Sequence, residues 1–198
     1  MKAAAIEVLT TGDLLDRAAA RSDSDALVFP EETVSYPELA DRTRRLARSL
    51  YGLGVGRGDK VGILMHNCMD FAVTLFAAGR LGAVMVPING RFKAQELGHV
   101  IGHADLRVLI TARGPSDATD YPMLLGEVLP DLAGQDPYAL SLADAAELRA
   151  IVQLDGETPG MLTRDQYNAA GEDVAEEMIE TLQQRVRVRD IAMLMYTS

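Results

Sequence analysis

Short aliphatic runs alternate with amphipathic helical segments through most of this 198-residue chain. The aliphatic runs at 61–65, 83–86 and 107–111 are too short for helices and are rich in β-branched residues. Between them, apolar residues recur at helical spacing over 68–81 and 94–104. Aliphatic strands joined by helices pair in parallel and are covered on both faces. The pattern therefore predicts an α/β fold with a largely parallel sheet flanked by helices.

Local signals predict further elements. Ser35 and Glu38 have the spacing of a capping box, and the helix behind them runs through residue 51. Asn67 is the candidate N-cap of the helix over 68–81, whose apolar residues lie nearly all round, which predicts deep burial. The other predicted elements are a helix over 14–20, a hairpin of strands 26–29 and 33–35, a strand within 148–154, and an acidic helix over 172–180 that we interpret as a solvated face.

Composition excludes several classes of function. The formal net charge is −10, with 24% charged and 48% hydrophobic residues. Because no excess of basic groups is available for a phosphate backbone, we expect no nucleic-acid partner. Cys68 is the single cysteine, which rules out an internal disulfide and fits a reducing cytoplasm. The most apolar stretch, 71–79, is too short to span a bilayer. We therefore expect a soluble, cytoplasmic protein without a membrane span.

The aliphatic run 191–195 leads directly into Tyr196, Thr197 and Ser198. We predict that this run forms a buried core strand. Small hydroxyl residues just past the carboxyl end of a strand are typical of phosphate-binding loops in α/β proteins. Thr197 and Ser198 are therefore candidate phosphate contacts, although a strand of any function can end in Thr-Ser.

Other constellations allow both a functional and a structural interpretation. The glycines alternating over 52–58 never form G-x-G-x-x-G, and they follow a helix and precede a strand, so we interpret them as a helix end and a tight turn. His99 and His103 have the spacing of two metal ligands on one helix face. No Cys supplies a third ligand nearby and no His-Glu-x-x-His signature is present, so we favour solvent-facing side chains. Cys68 is either a nucleophile whose pKa is lowered by a helix N-terminus or, as we favour, a core residue.

Four blocks occur in a characteristic order along the chain. They are Val34-Ser35-Tyr36-Pro37-Glu38-Leu39, Gly54-Val55-Gly56-Arg57-Gly58-Asp59-Lys60-Val61, the segment 77–89 ending in Val86-Pro87-Ile88-Asn89, and the segment 190–198 ending in Tyr196-Thr197-Ser198. Together these blocks resemble the N-terminal part of the adenylate-forming (AMP-binding) superfamily, which includes acyl-CoA synthetases, peptide-synthetase adenylation domains and firefly luciferase. Gly90-Arg91-Phe92 is more similar to the acyl-CoA synthetase branch than to the adenylation domains that transfer to a carrier protein.

The resemblance implies a two-step reaction in the parent enzyme, an acid–thiol ligase. A carboxylate attacks the α-phosphorus of ATP and releases pyrophosphate, and the thiol of coenzyme A then displaces AMP from the acyl-adenylate. It implies ATP, Mg²⁺ and coenzyme A as cofactors and a small carboxylic acid as substrate. It assigns Thr197 and Ser198 to the ATP phosphates and Arg91 to a phosphate of coenzyme A, and it assigns no catalytic residue or metal ligand to this chain.

The same resemblance implies that residues 1–198 are the N-terminal portion of the AMP-binding domain, with the remainder of that domain and the C-terminal domain absent. We therefore expect the isolated chain to be inactive. Two alternatives remain open. One is a stand-alone, non-catalytic α/β binding module, whose exposed sheet edge would favour a partner or a homodimer. The other is the adenylation domain of a peptide synthetase, which transfers its product to a carrier-protein thiol.

Overall fold

A computed structural model describes residues 9–113 and 120–197 of the protein. Helices and strands alternate along these residues as the sequence pattern predicts. The elements are α1 (Thr11–Ala19), β1 (Asp25–Val28), β2 (Thr33–Ser35), α2 (Tyr36–Gly52), β3 (Lys60–Leu64), α3 (Met69–Leu81), β4 (Val84–Pro87), α4 (Ala94–His103), β5 (Leu106–Thr111), α5 (Tyr121–Val128), a 3-10 turn (Leu132–Gly134), β6 (Ala150–Gln153), β7 (Leu162–Thr163), α6 (Arg164–Ala169) and α7 (Glu176–Gln183).

Across the described residues, five strands form one parallel sheet in the order β4-β3-β5-β6-β7, and β1 pairs with β2 in a separate antiparallel hairpin. The sheet register places Val61 beside Met85 on one side and beside Val108 on the other. The predicted α/β fold with a largely parallel sheet is confirmed. The predicted hairpin is confirmed as well.

Helices cover both faces of the parallel sheet. On one face, α2, α3, α6 and α7 pack over the strand residues Val61, Ile63, Met85, Val108 and Val152. On the other face, α4 and α5 pack over the alternate strand residues, which include Leu64, Val86, Leu109 and Ile151. Because successive strand residues point to opposite faces, aliphatic strands of this kind supply both halves of the core.

The helix starts follow the predicted capping chemistry in part for α2, where the Glu38 side chain pairs with Arg42 and does not close the capping box, and depart from it for α3. Ser35 caps α2, and its hydroxyl accepts a hydrogen bond from the Glu38 amide at 3.4 Å. The prediction that Asn67 caps α3 is wrong, because Cys68 is the extended residue before the helix (φ −150°, ψ 177°) and its side chain makes no cap hydrogen bond. Of the acidic run 172–180, only the part from Glu176 onward is helical, and it lies mainly at the surface.

Arg80 is buried inside the helical layer, which the sequence pattern did not predict. Its side chain is 1% exposed. Its Nη1 donates to Asp16 Oδ2 at 2.9 Å and to Gln183 Oε1 at 2.6 Å, and its Nη2 donates to Asp16 Oδ1 at 2.8 Å. Its Nε donates to Thr43 Oγ1 at 2.9 Å. The guanidinium therefore joins α1, α2, α3 and α7 around one charge.

Within residues 9–113 and 120–197, none of the helices has both the length and the apolar character needed to cross a membrane.

Candidate functional site

The loops that follow the parallel strands meet at one edge of the sheet. Leu64 is paired with Thr111, which in turn is paired with Gln153, so these strands end at the same level. The Ile88 amide donates to the Ile63 carbonyl at 2.9 Å and extends β4 to that level. Since ligands of open parallel sheets bind beyond the carboxyl ends of the strands, this edge is the candidate site.

The loop after β4 holds Arg91 in an exposed position. The Asn89 side-chain oxygen accepts a hydrogen bond from the Arg91 amide at 3.0 Å. A Cβ atom added at Gly90 would lie 2.2 Å from the hydroxyl oxygen of Tyr121, which explains the glycine between them. The Arg91 side chain is exposed and makes no hydrogen bond or ion pair with any residue that the structure describes. Its guanidinium is thus available to an anion.

Polar residues that the sequence analysis did not select lie at the ends of β5 and β6. The Arg113 amide donates to Asp155 Oδ1 at 2.7 Å, and Gln153 Nε2 donates to the Asp155 carbonyl at 2.7 Å. Gln153 is 1% exposed, and its Oε1 has no hydrogen-bond partner among the described residues. The signal that could have identified them is the position of polar residues immediately after predicted strands. Gln153 Oε1 is thus a hydrogen-bond acceptor without a partner among the described residues, and Arg113, which bonds to Asp155 at the same edge, is exposed.

The segment 190–197 runs alongside β4 and adds to the edge of the sheet. The Met85 amide donates to the Ala192 carbonyl at 3.0 Å, and the Leu194 amide donates to the Met85 carbonyl at 2.9 Å, in a parallel arrangement. The predicted buried core strand is wrong, because Ile191 and Met195 are each 67% exposed and only Met193 forms a bridge. The segment pairs with β4 on one side and has no strand on its other side among the described residues.

An ion pair links two of the sequence blocks. Arg57 Nε donates to Asp190 Oδ2 at 2.8 Å, and Arg57 Nη2 contacts the other carboxylate oxygen. The Arg187 amide donates to the same carboxylate at 2.8 Å. Hydrogen bonds from Arg57 and the Arg187 backbone lower the pKa of Asp190, so the carboxylate stays ionised and can anchor the segment that follows. Residues 54–59 and 190–197 therefore form one structural unit at the β4 edge.

The model of the family described as AMP-binding enzyme matches residues 14–198 of the chain. The chain belongs to the AMP-binding family. The resemblance drawn from the ordered sequence blocks is thereby confirmed. The chain is 29% identical over 194 residues to the acyl-CoA ligase sidI of Aspergillus fumigatus, and the alignment covers 96% of the chain and 31% of that protein.

Solved structures show the same fold as this AMP-binding chain. The N-terminal domain of FACL13 from Mycobacterium tuberculosis superposes with a TM-score of 0.68 at 23% identity, covering 96% of the chain and 42% of that domain. Coronafacic acid ligase from Pectobacterium brasiliense gives a TM-score of 0.72 at 19% identity, covering 95% of the chain and 33% of that protein. At these identities the likeness shows the fold alone. The chain spans about a third of the length of sidI.

The AMP-binding chain places Arg91 and the Tyr196 hydroxyl at opposite ends of α4. Helix α4 runs back along the sheet, because it connects the parallel strands β4 and β5. Arg91 precedes the start of α4, whereas Tyr196 lies against its far end, where its hydroxyl is 2.8 Å from His103 Nδ1. Thr197 is exposed next to Tyr196, and Ser198 lies outside the described residues. The 10 residues of α4, about 15 Å of helix, lie between Arg91 and the contact of the Tyr196 hydroxyl with His103.

The histidines of α4 face solvent, as we favoured, and they pack against Tyr196. Both His99 and His103 are exposed, and their rings stack with centroids 5.4 Å apart. The Tyr196 ring meets the His103 ring edge-on at 5.9 Å. Burial and the nearby Asp105 raise the pKa of Tyr196, which keeps its hydroxyl protonated. Among the described residues, no group of three or more His, Cys, Asp or Glu side chains could hold a metal ion.

The glycine cluster and Cys68 have structural roles in the AMP-binding fold. Gly54 (φ 79°) and Gly58 (φ 87°) adopt left-handed backbone conformations in the turn between α2 and β3, which confirms the tight turn. The Gly56 amide donates to Asp59 Oδ2 at 2.7 Å and closes that turn. Cys68 is half-buried, and burial together with Asp70 raises the pKa of its thiol, contrary to the lowered pKa that a nucleophile requires.

Proposed function

We propose that this chain is the N-terminal portion of the AMP-binding domain of an ATP-dependent carboxylate–CoA ligase. The observation that carries the proposal is the family match over residues 14–198, and the similarity to the acyl-CoA ligase sidI supports the choice of reaction class. The substrate would be a small carboxylic acid, and the cofactors would be ATP, Mg²⁺ and coenzyme A. A cytoplasmic location remains a prediction from composition.

Thr197 and Ser198 would bind phosphate oxygens of ATP in this proposal. Thr197 is exposed, and its hydroxyl makes no hydrogen bond within residues 9–113 and 120–197, so it is free to donate. These hydroxyls alone do not neutralise a triphosphate, which requires several amides, cations and Mg²⁺. We therefore expect the 198 residues by themselves to be inactive, with the remaining donors supplied by other segments of the parent enzyme.

Arg91 would bind a phosphate group of coenzyme A. Its backbone is held by Asn89, and its exposed guanidinium makes no polar contact with the described residues, so it fits a single phosphate contact. A guanidinium fork suits such a contact because it can donate two parallel hydrogen bonds. The placement of Arg91 before α4 and of the Tyr196 hydroxyl at its far end supports separate sites for the two phosphate-bearing molecules.

ATP–pyrophosphate exchange tests the proposed reaction class. The longest naturally expressed protein that contains this sequence is assayed with fatty, aromatic and amino acids, and the 198-residue chain is assayed in parallel. Exchange with fatty or aromatic acids is expected, and Thr197→Ala should lower its rate by about a hundredfold. Exchange that responds only to amino acids would instead favour a peptide-synthetase adenylation domain. Exchange with none of these acids would contradict the ligase proposal and favour a binding module.

A comparison of coenzyme A with dephospho-coenzyme A tests the role of Arg91. The parent enzyme should use coenzyme A better, and Arg91→Gln should raise KM for coenzyme A by about tenfold while exchange is unchanged. Lys93→Gln is the matched control, since Lys93 is an exposed cation of the same loop. An unchanged preference for coenzyme A in Arg91→Gln would contradict the assignment.

The exposed apolar side chains of segment 190–197 bear on the alternative of a binding module or homodimer. Ile191, Leu194 and Met195 are exposed, and the segment that carries them pairs with β4 on one side only among the described residues. Sedimentation equilibrium of the chain measures self-association directly. A monomer at micromolar concentration would contradict the homodimer.

A further inference from the structure

A cleft rich in arginine lies between α2, α3 and α6, on the sheet face opposite α4. Its volume is about 440 Å³, which is within the range of sites for small ligands. Its lining residues include Arg42, Arg45, Arg48, Ser49, Arg164 and Asn168. The cleft is distinct from the candidate phosphate contacts Arg91 and Thr197, because neither residue lines it.

Two of the lining arginines already have carboxylate partners. Arg42 Nη1 donates to Glu32 Oε2 at 2.9 Å, and Arg164 Nη2 donates to Asp70 Oδ2 at 2.8 Å. Hydrogen bonds donated to these carboxylates hold the pKa of both guanidinium groups above the ordinary value. Arg42 and Arg164 therefore form fixed, neutralised walls of the cleft.

Arg45 and Arg48 lack such partners within the part of the chain that the structure describes. Arg45 is exposed and its side chain makes no polar contact there. Arg48 Nη2 donates to the backbone carbonyl of Glu172 at 2.9 Å, while its Nε is buried without any hydrogen-bond partner. A buried guanidinium N–H that bonds to nothing is costly, so the described residues satisfy the Arg48 guanidinium only in part. The lining carboxylates of Asp70 and Glu172 do not meet either guanidinium.

The wall of the cleft is held by close packing of α2 against the end of α6. A Cβ atom added at Gly171 would lie 2.6 Å from the Ser49 amide nitrogen, and one added at Gly52 would lie 1.8 Å from the Ala170 carbonyl oxygen. These glycines bring the two backbones together beside Arg48 and Ser49. The backbone of this wall is thus fixed before any ligand arrives, and only the side chains that line it have to be ordered on binding.

We propose that this cleft is a binding site for a small soluble molecule that carries a phosphate group. Arg45 and Arg48 supply charge from α2, and the Asn168 side-chain amide supplies a further donor from α6. A tetrahedral dianion accepts hydrogen bonds from several directions, and arginine is suited to it. The chain as a whole carries a formal net charge of −10, so an anion is attracted here by local donors and not by the overall field.

Titration with inorganic phosphate and pyrophosphate tests the proposal on the chain itself. Calorimetry at constant ionic strength should show that phosphate and pyrophosphate bind, whereas acetate should bind at least about tenfold more weakly. Amide chemical shifts should change at Arg45, Arg48 and Asn168. The double variant Arg45→Gln, Arg48→Gln should weaken phosphate binding by about tenfold or more, whereas Arg185→Gln, Arg189→Gln removes the same charge from another surface and should not.

The single variant Arg45→Glu keeps the test decisive if loss of Arg48 unfolds the chain. Arg45 is exposed and unpaired among the described residues, so its replacement should leave the fold intact and still abolish phosphate binding. Equal binding in Arg45→Glu and the unaltered chain, or shift changes confined to other surfaces, would overturn the proposal. Binding to phosphatidic acid vesicles without binding to free phosphate would also overturn it.

Discussion

Arg80 and Asp16 form a bidentate ion pair beneath the helical surface, with Nη1–Oδ2 and Nη2–Oδ1 distances of 2.9 and 2.8 Å. Arg80 is almost fully buried, whereas the Asp16 side chain is 32% exposed, so the pair lies at the boundary between core and solvent. Removal of a buried partner leaves the other groups desolvated and unpaired, which costs more than the pair itself contributes.

Arg80→Met should lower the free energy of unfolding by about 3 kcal/mol, the lower end of the range for a broken buried pair because Asp16 is partly exposed. Urea unfolding measures this change. Arg44→Met is the matched control, since Arg44 contacts the same carboxylate from the surface at 2.7 Å and should cost about 1 kcal/mol or less. Equal losses of unfolding free energy in the two variants would show that the burial of Arg80 does not determine its contribution to stability.

The Asp16 carboxylate should make stability depend on acid pH. Burial raises its pKa, but hydrogen bonds from Arg80 and Gln183 outweigh that effect and lower it below the ordinary value of 3.8. A lowered folded pKa stabilises the protein above the unfolded pKa, and this contribution is lost as the pH falls through the folded value. Between about pH 5 and pH 2, Asp16→Asn should therefore show a smaller decline in unfolding free energy than the unaltered chain. Parallel declines would contradict this assignment.

Gly52→Ala should destabilise the fold, because the new Cβ would meet the Ala170 carbonyl oxygen at 1.8 Å and backbone atoms there cannot move aside cheaply. We expect a loss of about 2–3 kcal/mol by thermal or urea unfolding. Gly126→Ala in α5 is the control, since nothing lies within 4 Å of its added Cβ, and it should stabilise by about 0.5–1 kcal/mol. The measured quantity is the change in unfolding free energy, which should have opposite signs in the two Gly→Ala variants.

Asp190→Asn should loosen the segment 190–197 without unfolding the chain. The Arg57–Asp190 pair is at the surface, so global stability should change by no more than about 1 kcal/mol. Hydrogen exchange of the Leu194 amide, which bonds to the Met85 carbonyl, should become faster. The Ile88 amide bonds to Ile63 on the opposite side of β4 and should keep its protection. Faster exchange at both amides would mean that the effect is not local.

Cys68 should react slowly with thiol reagents at neutral pH, because burial raises the pKa of its thiol above the ordinary value of 9.0 and Asp70 adds to that effect. The rate of modification by a disulfide reagent should rise only at pH values above those needed for free cysteine. Unfolding in urea provides the control, since Cys68 is the single cysteine and should regain ordinary reactivity. A rapid reaction of the folded chain at pH 7 would restore the nucleophile interpretation.

The sequence by itself determined the order of elements and the class of fold. Periodicity and capping are local properties, so Ser35 with Glu38 marked the start of α2 and the run 148–154 contained β6. The ordered blocks identified the family, because each block reports a local turn or strand end. The cap of α3 was misplaced by one residue, since Asn67 is a typical capping residue, whereas Cys68, which occupies the cap position, makes no side-chain cap hydrogen bond.

Only the tertiary structure decided the position of Arg80 and the course of segment 190–197. Arg80 meets Asp16 and Gln183, which lie 64 and 103 residues away, and no local pattern reports a contact between such distant residues. The aliphatic run 191–195 looks like any core strand, but its burial depends on neighbours that only the assembled sheet supplies. Here β4 pairs with one side of the segment, and Tyr196 lies against His103 because an edge-on ring contact and a hydrogen bond hold it there.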